Sequence, residues 1–372
     1  MGVTTFPSGN AAVAKFWSKR LARESIKKTE IMQYAEDSSD AALMIESGLS
    51  KEAGDRVTVT LRLRGTGRGV TEDTPQEGNE ESLGTSTDNL TINELSHAFR
   101  SKKKGITQQR IPWNIAAELN AALQDWWAER FDMVGFAHAC GYTPFNSVDG
   151  IEDGAYNGFN TILAPSTGRQ LWCSADHTSD QTLDSDDVFA LSHIDRAVEL
   201  AQTGGSTGLP PIRPIKNATL NGMGAEFACY IHPSQATQLR ADASQWSSIE
   251  KAKISGGKTS ANGIVTGVLG VYNKTAIMTS ANVTPGVHSG TGASVANTRR
   301  AVFMGAQALT LAFGKGYGPE KWQVEEEPFD YKRQVGFAGI CVFGIKGSRF
   351  TINGTSHDFG KIVLSSYAAH AA

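Results

Sequence analysis

The sequence lacks the features that mark several large protein classes. No stretch approaches the ~18 consecutive apolar residues of a transmembrane helix, and the N-terminus has no continuous apolar segment like that of a secretory signal peptide. The four cysteines are widely spaced and include no C-x-x-C pair, which predicts buried thiols in a reducing compartment: Cys140, Cys173, Cys229 and Cys341. We therefore expect a soluble protein that is made in the cytoplasm and has no membrane partner.

Catalytic and metal-binding motifs are also missing. Gly256-Gly257-Lys258-Thr259 ends like a phosphate-binding loop, but the glycine required six residues before the lysine is replaced by Ala252. Asp358-Phe359-Gly360 copies the metal-binding triplet of kinases without the other kinase motifs. Cys173 and His177, with His193 nearby, form only a weak metal pattern. We predict no enzyme activity and no cofactor or metal.

Charge of one sign is not in excess. The chain has 35 basic and 38 acidic residues, a net charge of −3, and this balance argues against tight non-specific DNA binding by the whole protein. Such a protein can still line a DNA-filled space without gripping the DNA. Its 372 residues, 40% of them apolar, are enough for about two compact sub-domains.

The N-terminal stretch, residues 10–35, predicts a helical arm. Val13, Phe16, Trp17 and Leu21 recur at helical spacing, and six cations share the stretch: Lys15, Lys19, Arg20, Arg23, Lys27 and Lys28. One interpretation is an amphipathic helix that contacts nucleic acid or membrane. The interpretation we favour is a helix that docks on a neighbouring element and exposes its charged face.

Residues 55–104 predict a long two-stranded hairpin. Val57, Val59, Leu61 and Leu63 alternate with polar residues, as in a half-buried strand, before a glycine-rich break. A second extended segment is expected from Leu90 to Phe99. Its acidic tip region and basic flank supply the candidate contact residues between subunits: Arg62, Arg64, Glu72, Asp73, Glu77, Glu80, Glu81, Lys102, Lys103 and Lys104. A long hairpin is marginally stable alone, which favours docking on a neighbouring subunit; a flexible surface hairpin is the alternative.

The remaining chain predicts an α+β fold. Residues 107–140 predict one long helix, with Pro112 in its first turn and Gly141 at its end. Further helices are expected near 192–203 and 234–253, and strands at 225–231, 268–280, 331–350 and 361–364. Residues 299–313 predict a strand followed by a short helix. Because no catalytic constellation accompanies these extended elements, the sequence favours a protein that assembles through large contacts.

Several segments resemble a known family. They are Gly78-Asn79-Glu80-Glu81-Ser82-Leu83, the segment 127–132, the segment 304–308, and the C-terminal 336–350 with its Gly336-Phe337 and Arg349-Phe350 pairs. In order and spacing, from about residue 30 to 365, they resemble the major capsid proteins of N4-like podoviruses, which have the Hong Kong 97-type fold of tailed bacteriophages.

The resemblance implies a domain organisation and a function. It implies an N-terminal arm (1–54), an extended E-loop (55–106), a peripheral domain (107–190 and 326–372, with a spine helix at 107–140) and an axial domain (191–325). It implies copies that assemble as hexamers and pentamers into an icosahedral shell around double-stranded DNA in the host cytoplasm, with portal, scaffold or decoration proteins as further partners. Two rivals stay open: a nucleic-acid-binding protein acting through the basic arm, and a hydrolase using the loop at Lys258.

Overall fold

The computed structural model describes most of the chain. The described residues are 21–46, 55–62, 68–81, 85–102, 104–110, 112, 114–147, 157–174, 176–205, 209–217, 220, 224–242, 244, 268–319, 321–331, 333–352 and 354–369. Within them, no helix is both long and apolar enough to cross a membrane.

The described elements are mixed helices and strands. The helices are residues 21–28 (α1), Lys104–Arg110 (α2), Ile115–Cys140 (α3), Leu191–Thr203 (α4) and Pro233–Ala241 (α5). The strands are Ala35–Glu36 (β1), Leu43–Glu46 (β2), Arg56–Arg62 (β3), Thr85–Thr91 (β4), Asn93–Ser101 (β5), Gln170–Trp172 (β6), Phe227–Ile231 (β7), Val268–Tyr272 (β8), Thr275–Thr279 (β9), Gly286–Val287 (β10), Ser294–Val295 (β11), Thr298–Met304 (β12), Leu309–Phe313 (β13), Gln323–Phe329 (β14), Gln334–Gly347 (β15), Arg349–Ile352 (β16), Thr355–Asp358 (β17) and Lys361–Tyr367 (β18).

Two six-stranded sheets organise the body. The first sheet has the order β1-β2-β13-β15-β14, with β5 also paired to β15; the second sheet has the order β6-β18-β12-β7-β9-β8. Alternate residues of β15 face one side, so that Cys341, Phe343 and Ile345 are buried in the core that this sheet shares with α3. Trp127 of α3 lies at its centre, with ring centroids 4.9 Å from Trp322 and 6.3 Å from Phe343.

The second sheet has its own core. The apolar face of α4, with Ile194, Ala197, Val198 and Ala201, is buried with Phe227 and Phe303 of β7 and β12. The helix predicted near 192–203 and the strand predicted at 225–231 are therefore confirmed.

The long helix begins later than predicted. Residues 107–140 do not form one helix: α2 ends at Arg110 and α3 begins at Ile115, with the Asn114 side chain accepting a hydrogen bond from the Ala116 amide. Pro112 thus lies between two helices, because proline disfavours helical backbone in the preceding residue and cannot donate an amide hydrogen bond. The predicted end is confirmed, since Gly141 adopts the left-handed conformation at φ 67°.

Two other expectations were wrong in detail. Residues 93–101, expected to continue the hairpin, form β5 and pair with β15 from Val335 to Phe343 instead. Residues 309–313, expected as a short helix, form β13 between β2 and β15. Its residues are all buried in a sheet that supplies partners on both sides, and this tertiary pairing overrides local helix preference.

Most of the other predicted strands and helices are present in the described residues. The strands predicted at 268–280, 331–350 and 361–364 are present as β8, β9, β15 and β18. The arm is helical over 21–28 and the predicted helix 234–253 is helical over 233–241; residues 10–20 and 245–253 lie outside the described residues.

Candidate assembly interface

The hairpin β3–β4 is a separate two-stranded sheet mounted on the body. Its seven residue pairs run from Arg56 with Thr91 to Arg62 with Thr85. Val57 and Val59 point inward, as the alternation predicted, and pack with Leu90, Phe350 and Phe359 in a small cluster under the hairpin base. The base is therefore fixed by apolar contact with the body.

One buried amide also holds the base in place. The Asn160 side chain accepts a hydrogen bond from the Thr91 amide and donates to the Thr91 carbonyl, both at 2.9 Å, and it donates to the Ile345 carbonyl at 3.2 Å. A single side chain thus joins the last residue of β4 to β15. Gly344 permits this approach, because an added Cβ would overlap the Thr91 carbonyl.

A carboxylate in β4 adds a second polar anchor. Asp88 accepts hydrogen bonds from the Lys346 ammonium at 2.5 Å and from the Arg349 amide at 2.9 Å. The side chains of Asp88 and Lys346 are 15% and 18% exposed, so this ion pair is shielded from solvent more than a surface pair. Sequence reasoning missed both Asp88 and Asn160, because the partners through which they fix the hairpin base lie 69 or more residues away in the chain and leave no local pattern.

The loop that the hairpin carries is acidic and exposed. Five of the predicted contact residues lie in its described part, residues 68–81, and every one is exposed: Glu72, Asp73, Glu77, Glu80 and Glu81. Local turns shape the loop, including a hydrogen bond of 2.8 Å from the Gly78 amide to Glu80 and one of 2.9 Å from Asn79 to the Pro75 carbonyl. Within the described chain, Glu72, Asp73 and Glu77 form no ion pair.

The predicted basic partners are only partly described. Lys102 is exposed, and its carbonyl accepts a hydrogen bond from Thr107 at 2.9 Å. Arg62 pairs through its backbone with Thr85, and Lys104 begins α2. The side chains of Arg62 and Lys104, and the residues Arg64 and Lys103, lie outside the described part. The structure therefore gathers the acidic residues in one loop and leaves their basic partners a prediction.

The candidate metal residues have other partners. His193 is hydrogen-bonded to the Cys173 carbonyl at 2.9 Å, and His177 pairs with Asp187 at 2.8 Å. Burial raises the pKa of the Cys173 thiol to about 12, so that it stays protonated and is a poor metal ligand. Among the described residues, no group of His, Cys, Asp and Glu side chains is arranged to hold a metal ion. The phosphate-loop candidate at Lys258 lies outside them.

His138, Asp358 and Phe359 are held by contacts within the fold. Burial lowers the pKa of His138 to about 3, and its neutral ring is hydrogen-bonded to the Asn157 carbonyl. Asp358 pairs with Arg349 at 3.1 Å and with Lys361 at 3.5 Å, and Phe359 is buried under the hairpin. Of the four cysteines, three are buried and Cys173 is partly buried; all four are free thiols.

Two buried cations meet the C-terminal end of α3. Arg300 of β12 donates to the Gly141 carbonyl at 2.8 Å and to the carboxylate of Asp180 at 2.7 Å. Lys361 of β18 donates to the His138 carbonyl. A helix C-terminus carries partial negative charge and unpaired carbonyls, so these cations satisfy it. Because both come from the second sheet, they join that sheet to the helix of the first core.

Comparison with known proteins agrees with this architecture. The capsid of Ralstonia phage GP4 is 25% identical, with all of both chains covered and a TM-score of 0.77. The Cyanophage Pam1 capsid is 18% identical over 93% of this chain and 94% of that one, with a TM-score of 0.66. The head of Helicobacter pylori bacteriophage KHP40 is 16% identical over 91% of each chain, with a TM-score of 0.61. A search of curated proteins finds no match.

These likenesses confirm the predicted α+β fold of the Hong Kong 97 type. The N4-like subtype stays a prediction. A family model described as phage capsid protein matches residues 5–370, nearly the entire chain. That family is structural rather than enzymatic, and its members form the protein shell of the virion. The chain belongs to the phage capsid protein family.

Proposed function

We propose that this protein is the major subunit of an icosahedral shell, in which its copies form hexamers and pentamers and enclose double-stranded DNA. The observation that carries the proposal is the likeness to the Ralstonia phage GP4 capsid over the full length of both chains. Assembly takes place in the host cytoplasm, and portal, scaffold or decoration proteins are further partners. DNA lies against the inner face without sequence-specific contacts, consistent with a net charge of −3.

The domain organisation follows the same proposal. Residues 1–54 act as the arm, 55–106 as the E-loop, 107–190 and 326–372 as the peripheral domain, and 191–325 as the axial domain. Support comes from the helices, since α3 packs on the first sheet and α4 on the second, while both sheets contain strands from each side of the proposed boundaries. The pairing of β5 with β15 supports a shorter separate unit within the E-loop, formed by β3, β4 and the loop between them.

The hairpin supplies the contact between neighbours. Its base is fixed by Asn160 and Asp88, so it holds the acidic loop in a defined direction. The loop meets basic residues of the next copy, for which Arg62, Arg64 and Lys102 to Lys104 are the candidates. Exposed ion pairs of this kind set register and association rate more than affinity.

The first test is particle formation. Purified protein is examined by negative-stain electron microscopy and by sedimentation velocity. Closed shells, tubes or hexamer rings are the expected result. Protein that stays monomeric at every concentration, also when co-expressed with the other head proteins of its phage, contradicts the proposal.

The second test reverses charge in the loop. Glu80→Lys with Glu81→Lys should impair assembly and leave a soluble, folded subunit, because like charges would then face each other across the contact. The matched control is Asp186→Lys with Glu199→Lys, which makes the same charge change at two other exposed positions. Normal particles from the loop variant would show that the acidic loop is not a contact.

A further inference from the structure

The turn between β14 and β15 presents an aromatic side chain entirely to solvent. Its sequence is Asp330-Tyr331-Lys332-Arg333, and Tyr331 is 100% exposed. Asp330 and Tyr331 have φ angles of 51° and 53°, in the left-handed region that bulky residues rarely adopt. In hairpin turns, positions with a positive φ angle favour asparagine and glycine. Tyr331 is thus exposed at a strained position, without burial against the described part of its own chain.

A shallow apolar groove lies behind this turn. It has a volume of about 140 Å³, and its floor is formed by Ala98, Gly336 and Ala338. The Phe329 ring forms one wall; an added Cβ on Gly336 would come within 2.9 Å of it. The Arg100 guanidinium lies 4.0 Å from the centroid of the same ring and fixes it. The Phe329 wall of the groove is therefore in close contact with both Gly336 and Arg100.

The groove faces away from the core. Along β15, the odd-numbered residues share the side on which Cys341 and Phe343 enter the first core, so Gly336 and Ala338 belong to the opposite face. Glu325 and Glu327 of β14 lie on the groove rim and are exposed. The groove is thus an apolar floor with an acidic edge.

The turn and the groove complement each other. The turn offers the exposed Tyr331 ring and, two residues later, the cation Arg333, and the groove offers an apolar floor and two carboxylates. Tyrosines at interfaces are frequent energetic centres because they bury a large rigid surface and keep a polar tip. Complementary charges around such an anchor set its orientation.

We propose that the turn 330–333 of one copy docks in this groove of a second copy, with the Tyr331 ring on the floor and Arg333 beside Glu325 and Glu327. The inference rests on the proposed self-assembly and adds a contact separate from the acidic loop. Because a turn enters a groove, the contact is head-to-tail, and it closes into a ring where the rotation between copies fits.

Disulfide trapping tests the contact directly. Tyr331→Cys with Ala98→Cys places thiols on the turn and on the groove floor, both exposed in the single chain. Mild oxidation of particles should give covalent dimers and higher oligomers on non-reducing gels. The control pair is Tyr331→Cys with Val188→Cys, which combines the same turn thiol with a position that is 41% exposed elsewhere. Particles that form normally and yield no more cross-linking than the control overturn the inference.

Substitutions separate the ring from the charge. Tyr331→Ala should raise the subunit concentration needed for assembly by roughly tenfold or more, the effect of removing an interface anchor, while Tyr331→Phe should stay near wild type. Arg333→Glu and Glu327→Lys should each weaken assembly, and their combination should restore it. Wild-type particles with an unaffected Tyr331→Ala variant refute this contact alone; a wild-type protein that never assembles refutes the proposed function, and the contact with it.

Discussion

Arg300, which bridges Asp180 and the C-terminal end of α3, gives the sharpest test of how α3 is joined to the second sheet. Arg300 is 4% exposed and Asp180 is 1% exposed. Asp180 also accepts hydrogen bonds from Gln170 and Trp172, each at 3.0 Å, and from the Val287 amide at 2.9 Å. The carboxylate is therefore saturated, and the arginine is its only cationic partner within the described chain.

Replacing Arg300 with methionine keeps much of the side-chain volume and removes the charge. It leaves a buried carboxylate without its counter-ion and the Gly141 carbonyl without its donor. Breaking a buried pair on one side costs about 3–5 kcal/mol. We expect Arg300→Met to lower the free energy of unfolding by that amount. Arg300→Lys should lose less, because it keeps the charge but cannot reach Asp180 and Gly141 with the same planar group.

Urea unfolding of the subunit, followed by tryptophan fluorescence, measures this effect. The double variant Arg300→Met with Asp180→Asn is the informative control, because it removes both charges together. Its loss should be smaller than the sum of the two single losses. A decrease below about 1 kcal/mol for Arg300→Met would show that Arg300 does not join α3 to the second sheet as the geometry indicates.

Two further predictions concern the α3 core and the hairpin. Burial raises the pKa of Asp132 from 3.8 to about 6, although the carboxylate accepts hydrogen bonds from the Glu30 and Ile31 amides. Because the pKa of this carboxyl is raised on folding, its contribution to stability is present below about pH 4 and is lost as pH rises through 6. Asp132→Asn should therefore flatten the pH dependence of the free energy of unfolding between pH 4 and 6. An unchanged pH dependence in the variant contradicts this. Asn160→Ala should lower the free energy of unfolding by about 1–3 kcal/mol and speed backbone amide hydrogen exchange at the hairpin base. Exchange at the wild-type rate in this variant would show that the Asn160 side chain does not hold the hairpin.

Much of the fold was readable from local patterns. The alternation at Val57 and Val59 predicted the first hairpin strand, and the helical spacing around Ile194 predicted α4. Gly141 predicted the end of α3, since a left-handed residue there is most easily a glycine. These signals succeed because each depends on a few neighbouring residues.

The failures share a different physical cause. β5 and β13 take their structure from partners far away in sequence, and no periodicity within Asn93–Ser101 identifies β15 as that partner. The same holds for the interface. The acidic residues of the loop were evident, but Asp88, Asn160 and the groove behind Tyr331 depend on contacts between distant segments.

The position of β15 in the chain has a consequence for the timing of synthesis. The hairpin base is completed by Lys346, which lies 258 residues after Asp88. At ribosomal rates of about 5–20 residues per second, the hairpin waits roughly 13–50 s for that partner. During this interval the groove of β15 does not exist and the acidic loop has no fixed direction. Until β15 has been synthesised, the nascent chain therefore lacks both the groove and the lysine that pairs with Asp88 at the hairpin base.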